Sequence, residues 1–369
     1  MNIDTIYKIK DSVDLFLSDD NLLTVYHINT RQRRKFKVST LTVSLIEQID
    51  GDHTLMEIID NMSKFSVDSD SVTNVISSLE AMRIVATKDL DNSLLEIDDI
   101  NRFDRQINYF SEFFSESNAG LIAQNKLFSQ RVLIFGCGAI GSNIALLLGM
   151  SGVRTFTLFD FDIVEESDIA RHMIYSKAAI GATKTSLLAH ELKNIDSKIS
   201  INIVDDFMRP DSDIEKLIIE SDFIINTLDM PYIGYTASKI SRVCVKHNKP
   251  HFIAGGFDAH LASTGEIIIP YVTPCVECYA SHFKTSLKNW KPKQHPVEER
   301  YNEIGGLSSM SLFSASFAAI EIIKYITGLV DMNNNFKVRG EFLFDNMELI
   351  YINVEKNPSC IICGGKNES

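Results

Sequence analysis

The chain has 369 residues, 45% hydrophobic and 23% charged, with a formal net charge of −13. That length suits roughly two or three domains of ordinary globular composition. The acidic balance argues against broad nucleic-acid binding, which needs a basic face. No basic-plus-apolar N-terminal signal and no apolar run long enough to span a bilayer stands out, so a cytoplasmic protein is expected. Six cysteines in so long a chain argue against a disulfide framework.

Residues 1–90 read as a separate small module. Leu22–His27 and Arg34–Val38 are strand-like and joined across the polar stretch Asn29–Arg33. Ser39 or Thr40 is placed to cap a helix running to Ile49, with Leu41, Leu45, Ile46 and Ile49 on one face, ended by Asp50-Gly51-Asp52. Thr54 starts a second helix with Leu55, Ile58, Ile59 and Met62 inward. Asp68 or Ser69 starts a third, with Val72, Val75, Ile76, Leu79 and Met82 at helical spacing. Ile84–Ala86 closes the module as a short strand. The order suggests a winged-helix-like α+β domain. The acidic stretch Asp89–Asp99 then reads as a linker, bounded as 91–101, ahead of a larger domain over 102–369.

The larger domain is organised around Val132–Asp162. Val132–Phe135 suits a buried parallel strand. Gly136, Gly138 and Gly141 follow as G-x-G-x-x-G: a tight turn, a close approach for phosphate, and close packing of helix on strand. Asn143–Met150 continues as a helix, and Thr155–Phe159 is the next strand. Asp160 ends it, where a carboxylate can accept ribose hydroxyls. By itself this pattern does not separate NAD, FAD and ATP. Further strands are expected at Ile199–Val204, Phe223–Thr227 and Pro250–Ala254, with helices at Ile214–Glu220 and Ile233–His247. Such alternation gives an α/β fold with a doubly wound, mostly parallel sheet. Asp160, Asp162 and Asp229 all fall at carboxyl ends of strands, where ligands bind. Ser308–Thr327 reads as a helix rich in small residues, and Gly340–Asp345 with Leu349–Val354 as a hairpin around Asn346.

A triphosphate needs cations, and Arg171 and Lys184 are candidates; an NAD pyrophosphate needs only the turn and the helix dipole. Asp229 is a candidate ligand for Mg²⁺, a hard ion that prefers carboxylate oxygen. Together they would stabilise a leaving pyrophosphate while a substrate carboxylate attacks the α-phosphorus, giving an acyl-adenylate. Cys275-x-x-Cys278 and Cys360-x-x-Cys363 supply four thiolates for a closed, structural Zn²⁺ site. The polar stretch after Cys278, within 279–305, carries His282, Lys284, Lys288, Lys291, Lys293 and His295. It is a candidate substrate flap or a plain solvated loop. Cys137, inside the glycine turn, and Cys244, on an apolar helix, read as buried structural thiols.

Arg102–Gln106, the glycine turn, Asp160–Arg171, Lys184, Asp229 and the paired cysteine knuckles occur in order over about residues 100–365. This set resembles the ThiF/MoeB/HesA branch of ubiquitin-activating (E1-like) adenylyltransferases. By that resemblance Asp160 binds ribose, Ser167, Arg171 and Lys184 contact phosphates, Asp229 binds Mg²⁺ and the four cysteines bind zinc. Arg105 would reach ATP, in this family typically from the neighbouring subunit of a homodimer. Two features depart from the pattern. Asp168-Ile-Ala-Arg171-His172 stands where relatives have Asn-Leu-x-Arg-Gln, and no cysteine nucleophile lies between Cys278 and Cys360. The N-terminal module, with DGDHTLMEII before the helix Val72–Met82, resembles PqqD-like elements that bind leader peptides as an added strand. Its basic residues Arg31, Arg33, Arg34, Lys35 and Lys37 lie in the strand region, not on the helix Asp68–Met82, which favours peptide over DNA.

A peptide clamp fused to such a core resembles the peptide-modifying branch that makes microcin C and pantocin A, the latter above all. The resemblance implies ATP-dependent activation of glutamate side chains on a ribosomal precursor peptide, with ring closure and loss of water. The alternatives from other classes are an NAD-dependent oxidoreductase and a non-catalytic recruiting subunit.

Overall fold

The computed structural model describes residues 2–88, 94–114, 118–255, 257–258, 261–286, 288, 306–331 and 339–364. The chain packs as two units, Met1–Asn125 and Lys126–Ser369. The first holds β1 (Ile6–Ile9), β2 (Val13–Leu17), β3 (Leu22–His27), β4 (Gln32–Lys37), α1 (Thr40–Glu47), β5 (Asp50–Thr54), α2 (Leu55–Ser63), α3 (Ser69–Ala81), β6 (Val85–Thr87) and α4 (Ile97–Ser111). The strands form two antiparallel sheets, β5-β1-β6 and β2-β3-β4. The three helices start where the capping residues stand. Ser39 and Asp68 accept from backbone N–H groups, and Thr54 with Glu57 forms a capping box. Leu45, Ile58, Met62, Val72, Ile76 and Leu79 join Tyr7, Leu23 and Val25 in one buried core.

Three details differ from the sequence reading. β1 and β2 are additional strands. Asp50-Gly51-Asp52 does not simply end a helix: it pairs with β1, with Gly51 at φ +86° over a register shift between Ile6 and Lys8. And α4 begins inside the expected 91–101 linker. Its apolar stripe Phe103, Ile107 and Phe110 is buried, and Asp98 and Asp99 lie in its first turn, where the helix dipole favours acids.

The helix α5 (Ala119–Ser129) leads into the second unit: β7 (Arg131–Phe135), α6 (Ala139–Met150), β8 (Thr155–Phe159), α7 (Lys184–Ile195), β9 (Ser200–Val204), α8 (Glu215–Ile219), β10 (Phe223–Asn226), α9 (Ile233–Lys246) and β11 (His251–Ile253). Then come β12 (Phe257–Asp258), β13 (Leu261–Ser263), β14 (Glu266–Ile268), α10 (Val276–Ser286), α11 (Ser308–Thr327), β15 (Arg339–Leu343) and β16 (Leu349–Ile352). The main sheet runs β14-β11-β10-β7-β8-β9, parallel except for β14 at its edge. It is the expected doubly wound α/β sheet. A second sheet, β12-β13-β15-β16, is antiparallel and contains the expected terminal hairpin. The central strands β7 and β10 are buried almost throughout, as continuous apolar runs between helix layers require.

By length and composition α11 passes as membrane-spanning: 20 residues, mean hydropathy 1.3. This corrects the expectation that no apolar run is long enough. Here it is a core helix packed on α6, with Ser311, Ser314, Ala315, Ala318 and Ala319 buried. A second correction concerns the stretch after Cys278: α10 runs through to Ser286, so 279–286 are helical. The rest of that stretch, apart from residue 288, lies outside the described residues, as do Lys291, Lys293 and His295.

The junction of β7 and α6 has no room for a side chain. A Cβ at Gly141 would stand 2.0 Å from the Gly136 carbonyl oxygen and 2.6 Å from Thr227 Oγ1. We expect Gly141→Ala to lose roughly 1–3 kcal/mol or more in urea unfolding, since backbone must move, whereas Gly138→Ala leaves unfolding nearly unchanged.

Candidate functional site

The glycine turn is built for an open cradle. Gly136 takes φ +96°, and Thr227 Oγ1 donates to the carbonyls of Phe135 (3.1 Å) and Gly136 (2.9 Å), tying the turn to the end of β10. A Cβ on Gly138 would meet nothing within 4 Å. Gly138 is the N-cap of α6 and makes no side-chain cap, so it leaves the first N–H groups of that helix without a capping acceptor. The three glycines thus divide the work as their spacing implies: turn, opening, packing.

Asp160 lies beneath the turn, 4% exposed. Its Oδ2 accepts from Cys137 N (2.5 Å) and its Oδ1 from Asp162 N (2.9 Å). Burial pushes its carboxyl pKa up, and the two backbone donors oppose the rise. Tyr175 Oη donates to the Cys137 carbonyl (3.1 Å) and fixes the other side of the turn. The Cys137 and Cys244 thiols are fully buried, and burial raises both pKa values, as their structural reading requires.

Lys184 is the first residue of α7, with Thr183 as N-cap. Its ammonium is 3.0 Å from Asp162 Oδ2 and 3.5 Å from Asp168 Oδ2. Burial alone would lower its pKa; the carboxylates of Asp162, Asp168 and Asp160 overcome this and raise it, so the group stays charged. Asp168, 2% exposed, is the hub. It accepts from Glu165 N and from Arg171 (3.1 Å), and lies 3.3 Å from His172 Nε2. Burial would raise its pKa, but these donors and Lys184 bring it below the usual range. The residue that departs from the family pattern is therefore the one that gathers Arg171, His172 and Lys184. Ser167 and Asp229 are exposed, Ser167 in a short 3₁₀ turn and Asp229 just past β10. Arg105 is an exposed residue of α4 in the first unit.

The sequence reading missed Thr227, Tyr175 and His172. His172 is buried and stacked on Tyr175 at 4.5 Å, with Nδ1 lacking a hydrogen-bond partner among the described residues. Thr227 and Tyr175 carry no motif, and His172 entered only as the last residue of the departing segment Asp168–His172; only the fold brings all three to the turn.

The four cysteines converge. Cys275, Cys278, Cys360 and Cys363 place their Sγ atoms within 4.8 Å of one another, with pairs at 3.5, 3.6 and 3.9 Å. A tetrahedral ion with metal–sulfur bonds of about 2.3 Å needs edges of about 3.8 Å, so the set fits one ion with no position left open.

The ThiF family profile matches residues 103–361. The chain belongs to the ThiF family. ThiF relatives include the adenylyltransferase and sulfurtransferase UBA4 of Candida glabrata, 26% identical over 250 residues, covering 68% of this chain and 53% of the relative. Another is the heterocyst protein HesA of Trichormus variabilis, 26% identical over 270 residues and covering 72% of this chain and 91% of that one. The chain spans about half the length of the sulfurtransferase relatives. Two solved structures share its fold along nearly the whole chain. Escherichia coli MccB with AMPCPP and MccA has a TM-score of 0.72 at 20% identity, covering 97% of this chain and 99% of that one. PaaA has a TM-score of 0.70 at 20% identity, covering 94% and 100%.

His172 gives a pH test. Burial, the largest effect, pulls its pKa from 6.5 down to about 4, against the pull of Asp168. The folded value lies below the unfolded one, so the unfolded chain takes up the proton first and stability falls as pH drops from about 6.5 toward 4. Between pH 7 and 5 the wild type should lose roughly 2 kcal/mol more than His172→Phe in urea unfolding; equal losses would refute the assignment.

Proposed function

We propose that the chain is an ATP- and Mg²⁺-dependent adenylyltransferase acting on carboxylates of a ribosomally made precursor peptide. The observation that carries this reading is the buried Lys184 ammonium, held charged between Asp162 and Asp168 beside an open glycine turn. In the proposed reaction the triphosphate lies on the turn and the N-terminus of α6. A glutamate carboxylate of the peptide attacks the α-phosphorus and pyrophosphate leaves. A backbone amide nitrogen of the same peptide then attacks the acyl carbon, AMP departs, and a ring closes with net loss of water. The glutamate choice and a pantocin-like product follow the resemblance to PaaA; MccB, solved with AMPCPP and the peptide MccA, supports a peptide substrate.

The charge balance supports Mg²⁺. Asp160, Asp162, Asp168 and Asp229 outnumber Lys184 and Arg171 around a polyanionic ligand, so a divalent ion is needed to offset repulsion. Asp229 is the exposed carboxylate available to hold it. Ser167 and Arg171 are the further phosphate contacts, and Asp160 the ribose contact. Asp168, integrated with Lys184, supports an intact site over a decayed recruiting subunit. The Arg171 and Lys184 pair speaks against a dinucleotide oxidoreductase.

In the first unit, β4 is an edge strand carrying Arg33, Arg34, Lys35 and Lys37. An acidic leader peptide adding there would gain both main-chain pairing and charge complementarity. We assign this unit to leader recognition, Arg105 to ATP contact across a homodimer, and the cysteine set to structural Zn²⁺, in a cytoplasmic enzyme.

Three outcomes check the reading. Purified enzyme given Mg²⁺ and synthetic peptides from small reading frames next to its gene should convert ATP to AMP and pyrophosphate with one peptide and not with others. Lys184→Ala and Asp229→Ala should each lower that turnover by about 10²–10³-fold while leader binding, followed by fluorescence anisotropy, is unchanged. Metal analysis should find one zinc per chain, lost in Cys360→Ser together with a lowered melting temperature; a metal-free wild type would remove the zinc assignment without touching the adenylation chemistry.

A further inference from the structure

A second polar cluster lies at the β14 edge of the main sheet, two strands from β10, the strand that Asp229 follows. Glu266, in β14, pairs with Ile253, the last residue of β11, and its side chain is 6% exposed. Arg339, the first residue of β15, brings NH1 to 3.9 Å from Glu266 Oε2. Among the described residues, neither Glu266 Oε2 nor Arg339 Nε, both buried, has a hydrogen-bond partner. Gly255 packs against both Ser263 and the guanidinium: a Cβ there would stand 1.9 Å from Ser263 Oγ and 2.2 Å from Ser263 Cβ, and a tight 3.2 Å from Arg339 Nη2.

The sheet fixes where this cluster points. β10 and β11 are parallel, with Asn226 opposite Ile253, and Ala254 N still donates to the Asn226 carbonyl at 2.9 Å. The paired register ends at Asn226 and Ile253, so Gly255 and Asp229 both follow their strands at the carboxyl end of the sheet. Adjacent strands are about 4.8 Å apart. The guanidinium therefore stands at the carboxyl-end side of the sheet, where ligands bind.

As a structural strut the pair is poor. Two charged groups left at 3.9 Å with unsatisfied atoms lose more by desolvation than they regain. Burial also pushes the Glu266 carboxyl up to about 7, against the pull of Arg339. Near neutral pH much of Glu266 is then protonated, and the guanidinium lacks a full counter-charge. A planar guanidinium matches a carboxylate in bidentate fashion. Arg339 remains reachable, its side chain 28% exposed.

We infer that Arg339, backed by Glu266 and packed against Gly255, is a substrate-positioning residue that holds a carboxylate of the peptide beside the adenylation centre. This rests on the adenylation reading and deepens it, because it gives the site a preference for acidic side chains.

The probe is the glutamate-containing peptide that drives pyrophosphate release in the wild type, together with its glutamine form used as a competitive inhibitor. Arg339→Gln should raise the peptide KM by roughly 10- to 100-fold, leaving the ATP KM and kcat within about twofold. Arg339→Lys should show a smaller rise, since one ammonium cannot form the two-point pair. The glutamine peptide should inhibit wild type and Arg339→Gln equally weakly. Melting curves identify folded variants, and Arg339→Lys retains the charge should the glutamine variant not fold. An unchanged peptide KM in either folded variant overturns the inference and leaves the adenylation reading standing. A wild type that consumes no ATP with any peptide removes both.

Discussion

A lysine at the first position of a helix, nearly removed from water, is held only by what surrounds it. The dipole at the start of α7 disfavours a cation there, and burial disfavours it further. Asp162 and Asp168 reverse both penalties for Lys184, and the backbone is arranged to bring them in. Lys184 N donates to the Asp162 carbonyl, Val164 N to Ala182 O, and Gly181 N to Val164 O. With Ile163 bridging to Thr183, the segment after β8 is stitched to the N-terminus of α7. Removing either carboxylate would leave a buried ammonium short of partners, a larger loss than the value of the pair itself. The loop carrying Ser167 and Arg171 is thereby positioned through Asp168.

How much of this was legible in the sequence depends on how local each cause is. Gly136, Gly138 and Gly141 work through spacing, so turn, opening and packing could all be read from the string. The caps Ser39, Thr54 and Asp68 and the stripes of α2 and α3 were legible for the same reason. Two cysteine knuckles announce themselves by composition although 85 residues separate Cys275 from Cys360. Asp168 was visible as a departure, but its meaning lies in contacts with His172 and Lys184 that only the folded chain makes. β1 and β2 are short and weakly alternating, and their pairing with β5, β6 and β3 is set by tertiary context rather than propensity. Arg339 and Glu266 were invisible, because nothing local joins two residues on different strands. The expected linker 91–101 shows the opposite failure: acidity suggested solvation, while the spacing of Phe103, Ile107 and Phe110 had already specified a helix.

The cysteine set answers a topological need. After β16, residues 353–364 form no helix or strand, and Cys360 and Cys363 meet Cys275 and Cys278 at the start of α10. Closing a loop of that length costs several RT in chain entropy, yet the cost grows only slowly with length. The proposed ion, bound by four thiolates, would be strong enough to offset it. Ala237, Val245, Ile253 and Ile268 pack in the same cluster. The clamp therefore bears on β11 and β14, the strands that carry Gly255 and Glu266 toward the site.

The carboxylates of the proposed site fall into two kinds, and the difference fits the work proposed for each. Asp160 and Asp168 are buried, each accepting from backbone N–H groups, so they are fixed before any ligand arrives. Each Asp160 oxygen receives one backbone donor and keeps a lone pair, enough to accept a ribose hydroxyl without moving. Asp229 is exposed, and its side chain can reorient in water. A preorganised acceptor suits a neutral hydroxyl, which offers little energy for rearrangement; a solvated carboxylate suits a hydrated divalent ion that surrenders few of its waters. The same division separates Lys184, locked in place, from half-exposed Arg171. In the proposed reaction the locked groups would define where the nucleotide lies, and the mobile ones would follow the charge as pyrophosphate departs.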